Sequence, residues 1–211
     1  MAKESQAAKA YQSIRASIFD GTLFQGYPIT EVELSEKLGM SRTPVREALS
    51  RLRSQGLLLN IPRKGVIVQQ FSKQEIDMAY EYLEAIEGKM AEWLARNVAS
   101  LSFTGAWCCV AEMDAALETD DAEAWARADD ALHDELRDLC KNRFLVEALK
   151  GMYGQIYYTR MLFTRILLDK KQSTDEHRHM LLLISQGEAD KARQCTEAHL
   201  RRVREEVSRL P

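Results

Sequence analysis

The chain of 211 residues is poor in the patterns that mark several protein classes. It has four cysteines, at 108, 109, 140 and 195, with no C-x-x-C spacing, and the adjacent pair is badly placed to bridge to itself. They read as small apolar side chains in helix packing, in the reducing conditions of a cytoplasm. No run approaches the roughly 18 apolar residues of a membrane span, and no basic stretch followed by an apolar core opens the chain, so neither a membrane protein nor an exported one is expected. The absence of repeats and low-complexity tracts argues against a solenoid or a long disordered tail. Histidine is missing from the first half altogether; all four lie at 133, 177, 179 and 199.

Forty-five per cent of the residues are hydrophobic, enough for one large core or two small ones. The net charge of -3 is unevenly spread. Residues 1–72 hold ten Lys/Arg against six Asp/Glu, net +4, and the remainder holds 19 against 26, net -7. A basic module that meets phosphates, joined to an acidic module with another task, accounts for this split.

The basic part has its own internal signal in "SRTPVREALSRLRSQG", residues 41–56. At 100° per residue, Val45, Ala48, Leu49 and Leu52 share one face of a helix, and Arg42, Arg46 and Arg53 fall within about 40° of each other on a neighbouring stripe. Ser41 suits the N-cap, Pro44 the first turn and Gly56 the stop. Upstream, "ITEVELSEKLGM" places Ile29, Val32, Leu34 and Leu38 on a short helix ending at Gly39, which predicts a helix-turn-helix. Before it, Tyr11, Ile14, Ile18 and Phe19 space out a first helix. Downstream, "LLLN-IPRKG-VIVQQ" predicts a β-hairpin wing with Arg63 and Lys64 at its tip.

At "FSKQE" the pattern changes. Ser72 and Glu75 have the spacing of a capping box, opening a long helix to about Arg96, so the domain boundary is expected between 72 and 73. Everything after it reads helical, over about 103–118, 121–140, 143–169, 174–186 and 189–209, with Asp120/Glu123 and Ser173/Glu176 repeating the capping spacing. The expected fold class is mostly α: an N-terminal winged helix-turn-helix domain with a small hairpin wing, 1–72, and a C-terminal all-α bundle, 73–211.

In the helical part, Asp129 and His133 stand four apart on the face that also carries Trp125, Leu136 and Cys140, which is the inward face. His199 sits in the stripe of Ala192, Cys195, Val203 and Val207. His177 shares its face with Met180, Leu181 and Ile184, whereas His179 is turned about 200° away. Polar groups aimed at a core need partners. One Asp and three His from three helices suit a divalent transition metal such as Zn, Ni or Mn. Hydrogen bonds alone also satisfy inward histidines, and the pattern by itself leaves both readings open.

The run "ELSEKLGMSRTPVREALSRLRSQGLL" followed by "PRKGVIV" resembles the winged-helix DNA-binding domain of GntR-family bacterial transcription regulators. "DDALH" and "DEHRHMLLLISQGEADKARQCTEAHL" resemble the metal-binding pattern of the FCD sensing domain of the FadR-type subgroup, so the likeness spans nearly the whole chain. The resemblance implies a metal on Asp129, His133, His177 and His199, with remaining positions open to water or an effector carboxylate. A homodimer on a pseudo-palindromic double-stranded DNA operator is expected, because one small winged helix offers few contacts and symmetric proteins read symmetric sites. Arg42, Thr43 and Arg46 are then expected in the major groove, and Lys64 and Gly65 against the backbone or the minor groove. Two departures stand out. Relatives often carry an effector-binding arginine where this chain reads "EYLEAIE", with Leu83 and Glu84; Arg160 in "YYTRML" is the candidate substitute, against its plainer reading as a solvated surface residue. "QGYPITE" has Tyr27 and Pro28 where a basic residue is common, so one phosphate contact is expected to be missing. Against this regulator stand a metal-dependent hydrolase or lyase built on the same Asp/His set, and an architectural module whose helical half is only a scaffold.

Overall fold

Residues 5–19, 21–61, 65–149 and 169–209 are described by a computed structural model. They form two units, one running to Ser72 and the other starting at Lys73, each with its own core. In the first unit, α1 (Gln6–Phe19), α2 (Glu31–Leu38) and α3 (Arg42–Ser54) are joined by a sheet of β1 (Pro28–Ile29), β2 (Leu58–Ile61) and β3 (Gly65–Val68). Apolar spacing decides the packing: Ile14 and Ile18 of α1 meet the buried stripe of α3, Val45, Ala48, Leu49 and Leu52. α2 is capped by Thr30, whose hydroxyl accepts from the Glu33 N–H, and ends at Gly39 in the left-handed conformation that glycine adopts without strain. Ser41 occupies the N-cap position of α3 without a side-chain hydrogen bond to the helix.

The sheet departs from the expected two-stranded wing. Ile29 is not on α2; it forms β1 opposite Val66, and β3 lies between β1 and β2. The Thr30 cap prevents α2 from starting earlier, and Pro28, which has no N–H to give, fits an edge strand. Val32 lies on α2 as expected, on its exposed side. At the start of β3, Gly65 has φ +95°, and a Cβ there would stand 2.4 Å from the Ile29 carbonyl oxygen. Gly65→Ala is therefore expected to destabilise this unit by about 1–3 kcal/mol. Calorimetry or faster amide exchange along β3 would read the loss, and an unchanged wing would show that the backbone relieves the clash. Pro62, Arg63 and Lys64 lie outside the described residues.

The second unit is helical throughout its described residues: α4 (Lys73–Arg96), a 3₁₀ turn (Val98–Ser100), α5 (Thr104–Glu118), α6 (Ala122–Leu139), a helical stretch over 143–149, α7 (Lys170–Ser185) and α8 (Ala189–Ser208). Leu83, Leu94, Met113, Trp125, Leu132, Leu181 and Ile184 fill its core. The Trp125 indole N–H donates to Thr174 Oγ1 at 2.9 Å, which lets a large aromatic be buried with its polar edge satisfied. Residues 150–168 of the helix expected over 143–169, including Arg160, lie outside the described residues.

Two helix starts differ from expectation. Asp121, not Asp120, caps α6, accepting from the Glu123 and Ala124 N–H groups. α7 begins at Lys170 under an Asp169 cap, so Ser173 and Glu176 are interior residues with other partners. α4 and α8 pack antiparallel in a strict register, in which each step of three or four residues down one helix is matched by an equal step up the other. Arg201 meets Glu84 at 2.7 Å, Arg204 meets Glu81 at 3.0 Å and Ser208 donates to Asp77 at 2.7 Å. Further along, Gly88 gives Glu197 its room, since a Cβ on Gly88 would lie 2.9 Å from Glu197 Cγ. Among the described residues no helix is long and apolar enough to cross a membrane.

Candidate metal centre and nucleic-acid face

The faces of α3 are cleanly divided. Its apolar stripe anchors the helix, and Arg42, Thr43, Arg46 and Ser50 lie outside that stripe and are exposed. Two arginines of this helix are occupied elsewhere: Arg53 donates to Asn60 Oδ1 at 2.7 Å, and Arg51 lies 4.0 Å over the Tyr11 ring. Arg53 thus has a partner on β2, while Arg42 and Arg46 are exposed. Tyr27, which stands where a basic residue was anticipated, donates to Glu33 at 3.1 Å.

In the second unit, α6 and α7 bring three of the four expected ligands together. Potential donor atoms of Asp129, His133 and His177 all lie within 4.8 Å of one another. His133 Nε2 is 3.8 Å and His177 Nδ1 3.6 Å from Asp129 Oδ1. Both separations exceed a good hydrogen bond. Donors about 2.0–2.2 Å from one ion stand about 3–3.6 Å apart, so side-chain shifts of up to about an ångström would let this set close on a cation. The residues present fit a divalent transition metal, with a hard carboxylate and borderline imidazoles as donors. His177 is 2% exposed, the depth at which an ion would be shielded from bulk water. His179, on the same helix, is exposed and faces elsewhere.

His199, on α8, is adjacent rather than inside this trio: its ring centroid is 4.6 Å from that of His177, tilted by 54°. Its Nδ1 is hydrogen-bonded to Glu176 Oε2 at 2.5 Å. Arg202 grips the same carboxylate with two prongs, Nε to Oε1 at 2.8 Å and Nη2 to Oε2 at 2.6 Å. Burial alone would raise the Glu176 carboxyl pKa, but the hydrogen bonds from His199 and Arg202 outweigh it and hold it down to about 2.

Sequence reasoning missed two carboxylates. Glu176 was assigned to a helix cap. Glu87 is buried, with Oε2 3.6 Å from His133 Nδ1. Its signal was available: Tyr80, Leu83, Glu87, Met90 and Leu94 form the buried stripe of α4, and a carboxylate in an apolar stripe marks a polar partner within. Leu83, at the position of the anticipated effector arginine, is buried, and Glu84 is ion-paired with Arg201.

Comparison with known proteins bears on both halves. The model of the gntR family of bacterial regulatory proteins matches residues 6–68, and that of the FCD domain matches residues 77–202. An HTH-type transcriptional regulator from the ttuE–ttuC' intergenic region of Agrobacterium vitis is 37% identical over 62% of this chain and 78% of its own. YdhC of Bacillus subtilis, also described as an HTH-type transcriptional regulator, is 27% identical over 90% of this chain and 85% of its own. A crystal structure of a GntR regulator from Rhodococcus sp. RHA1 shares the fold, with a TM-score of 0.75 at 18% identity, covering 97% of this chain and 98% of that one. These relatives are regulators, not enzymes, which overturns the hydrolase or lyase reading of the Asp/His set. With an exposed arginine face on a helix-turn-helix and an FCD domain following it in the sequence, the chain belongs to the GntR family of DNA-binding transcription regulators.

Proposed function

We propose that residues 73–211 sense a small metabolite, an organic acid, at a divalent metal ion (Zn, Ni or Mn), and that occupancy changes how residues 1–72 bind an operator. Asp129, His133, His177 and His199 are the ligands in this reading. The observation that supports it is the buried convergence of Asp129, His133 and His177 from two helices. When bound, such an ion supplies Lewis acidity and open positions for a ligand oxygen. Arg160 is the candidate cation for the acid's charge, since Leu83 offers none. The regulator is read as a cytoplasmic homodimer on a pseudo-palindromic site, because one winged helix makes few contacts and symmetric proteins read symmetric sites.

On the DNA side, Arg42, Thr43 and Arg46 are read as major-groove residues, and Lys64 with Gly65 as wing contacts. The exposure of the first three on the N-terminal turns of α3 supports this.

Protein purified without a chelator or a nickel column should carry a transition metal, or take up about one equivalent of Zn, Ni or Mn into the four-ligand site, measured by elemental analysis. Less than about a tenth of an equivalent after all three additions defeats the metal reading and leaves the histidines as core residues or direct effector contacts. A metabolite panel scored on operator binding, with and without chelator, then names the effector class. Light scattering that shows only monomer, with and without DNA, defeats the dimer.

A further inference from the structure

We propose that Glu176 is a positioning residue: it holds the His199 imidazole in the tautomer protonated at Nδ1, so that Nε2 keeps its lone pair for the histidine cluster. An ionised carboxylate can only accept hydrogen bonds. The 2.5 Å contact between Glu176 Oε2 and His199 Nδ1 therefore requires the proton on Nδ1. A neutral imidazole carries one N–H, which leaves Nε2 with its lone pair free to accept or ligate. Carboxylates in this relation to a ligating histidine fix both tautomer and ring orientation.

Glu176 is itself fixed, which separates it from an ordinary surface acid. The two-pronged Arg202 contact holds both of its oxygens. Arg202 Nη2 also donates to Ser173 Oγ at 2.8 Å, and Nη1 reaches Glu206. With the Arg202 and Glu176 side chains 16% and 25% exposed, the fork is well shielded from competing water. The helix periodicity makes the device compact. Glu176 precedes His177 on α7, so one residue turns inward to Asp129 and the other turns to α8, where His199 and Arg202 lie three apart on one face.

The metal consequence rests on the reading above; the tautomer does not, and the experiment keeps them apart. Long-range ¹H–¹⁵N spectra of the metal-free, full-length protein, at a pH where the rings are neutral, should show His199 protonated at Nδ1. Glu176→Gln should move that proton wholly or partly to Nε2, because a carboxamide can donate as well as accept. The same substitution should weaken Zn²⁺ or Co²⁺ binding, measured by competition with a chromophoric chelator, about 10- to 100-fold at unchanged stoichiometry. If Glu176→Gln fails to fold, Arg202→Lys, which keeps the carboxylate but removes the fork, should shift the same signals by less. His199 protonated at Nε2 in the wild type, or an unchanged tautomer in Glu176→Gln, overturns the proposal. A wild type that binds no metal yet shows the Glu176-dependent Nδ1 proton supports it and overturns the metal reading instead.

Discussion

Arg46→Ala should lower affinity for operator DNA by about 1–3 kcal/mol, roughly 5- to 150-fold, with a much smaller loss on scrambled DNA. The asymmetry follows from where the guanidinium sits. Arg46 stands one turn inside the N-terminus of α3, exposed, on a helix whose other face is locked by Val45, Leu49 and Leu52. A rigid mount lets a planar fork present two N–H groups to guanine O6 and N7, a contact that pays only at the right base. A phosphate contact is indifferent to sequence and fails equally on both DNAs. Titrating both duplexes at one fixed salt concentration decides the matter, since changing salt alters the phosphate term independently. Equal losses would mean that Arg46 positions the domain without reading bases.

His133→Ala should lower metal content and melting temperature together. An ion that binds only the folded state adds about 2.7 kcal/mol when free metal is a hundredfold above Kd. For a helical unit of this size that corresponds to a shift on the order of 10 °C. The chelator-treated wild type supplies the reference: the gap between wild type and variant should shrink when both are stripped, leaving only the packing cost of the lost ring. His179→Ala should change neither quantity much, because His179 is exposed and turned away from the trio. A variant that keeps a full equivalent of metal would remove His133 from the ligand set.

Side-chain periodicity carried most of the fold. The buried faces of α3 and α6 are the ones that 100° per residue selects, and both depend only on residues within a turn or two of each other. The same locality explains the misses. Ile29 joins a strand because Val66 lies opposite, and nothing near residue 29 announces that partner. Ser173 and Glu176 have capping spacing, yet their partners, Arg202 and His199, come from the next helix. The inward set of Asp129, His133 and His177 was legible because each shares a stripe with apolar neighbours. Glu87 was legible on the same ground, within the buried stripe of α4, but Glu176 was not, since its capping spacing with Ser173 pointed to a helix start while its partners lie on the next helix.

The tight approach at Gly88 turns the pairing of α4 and α8 into a keyed fit. The ion pairs along this seam are partly exposed and each contributes about 1 kcal/mol or less, so by themselves they hold the register weakly. Steric exclusion is far less forgiving. If α8 moved by one turn, about 5.4 Å, Glu197 would leave the one position of α4 that has no side chain. The Gly88 notch thus marks the one register in which Glu197 lies flat against α4 without rearranging, so it selects where α8 sits along its partner helix.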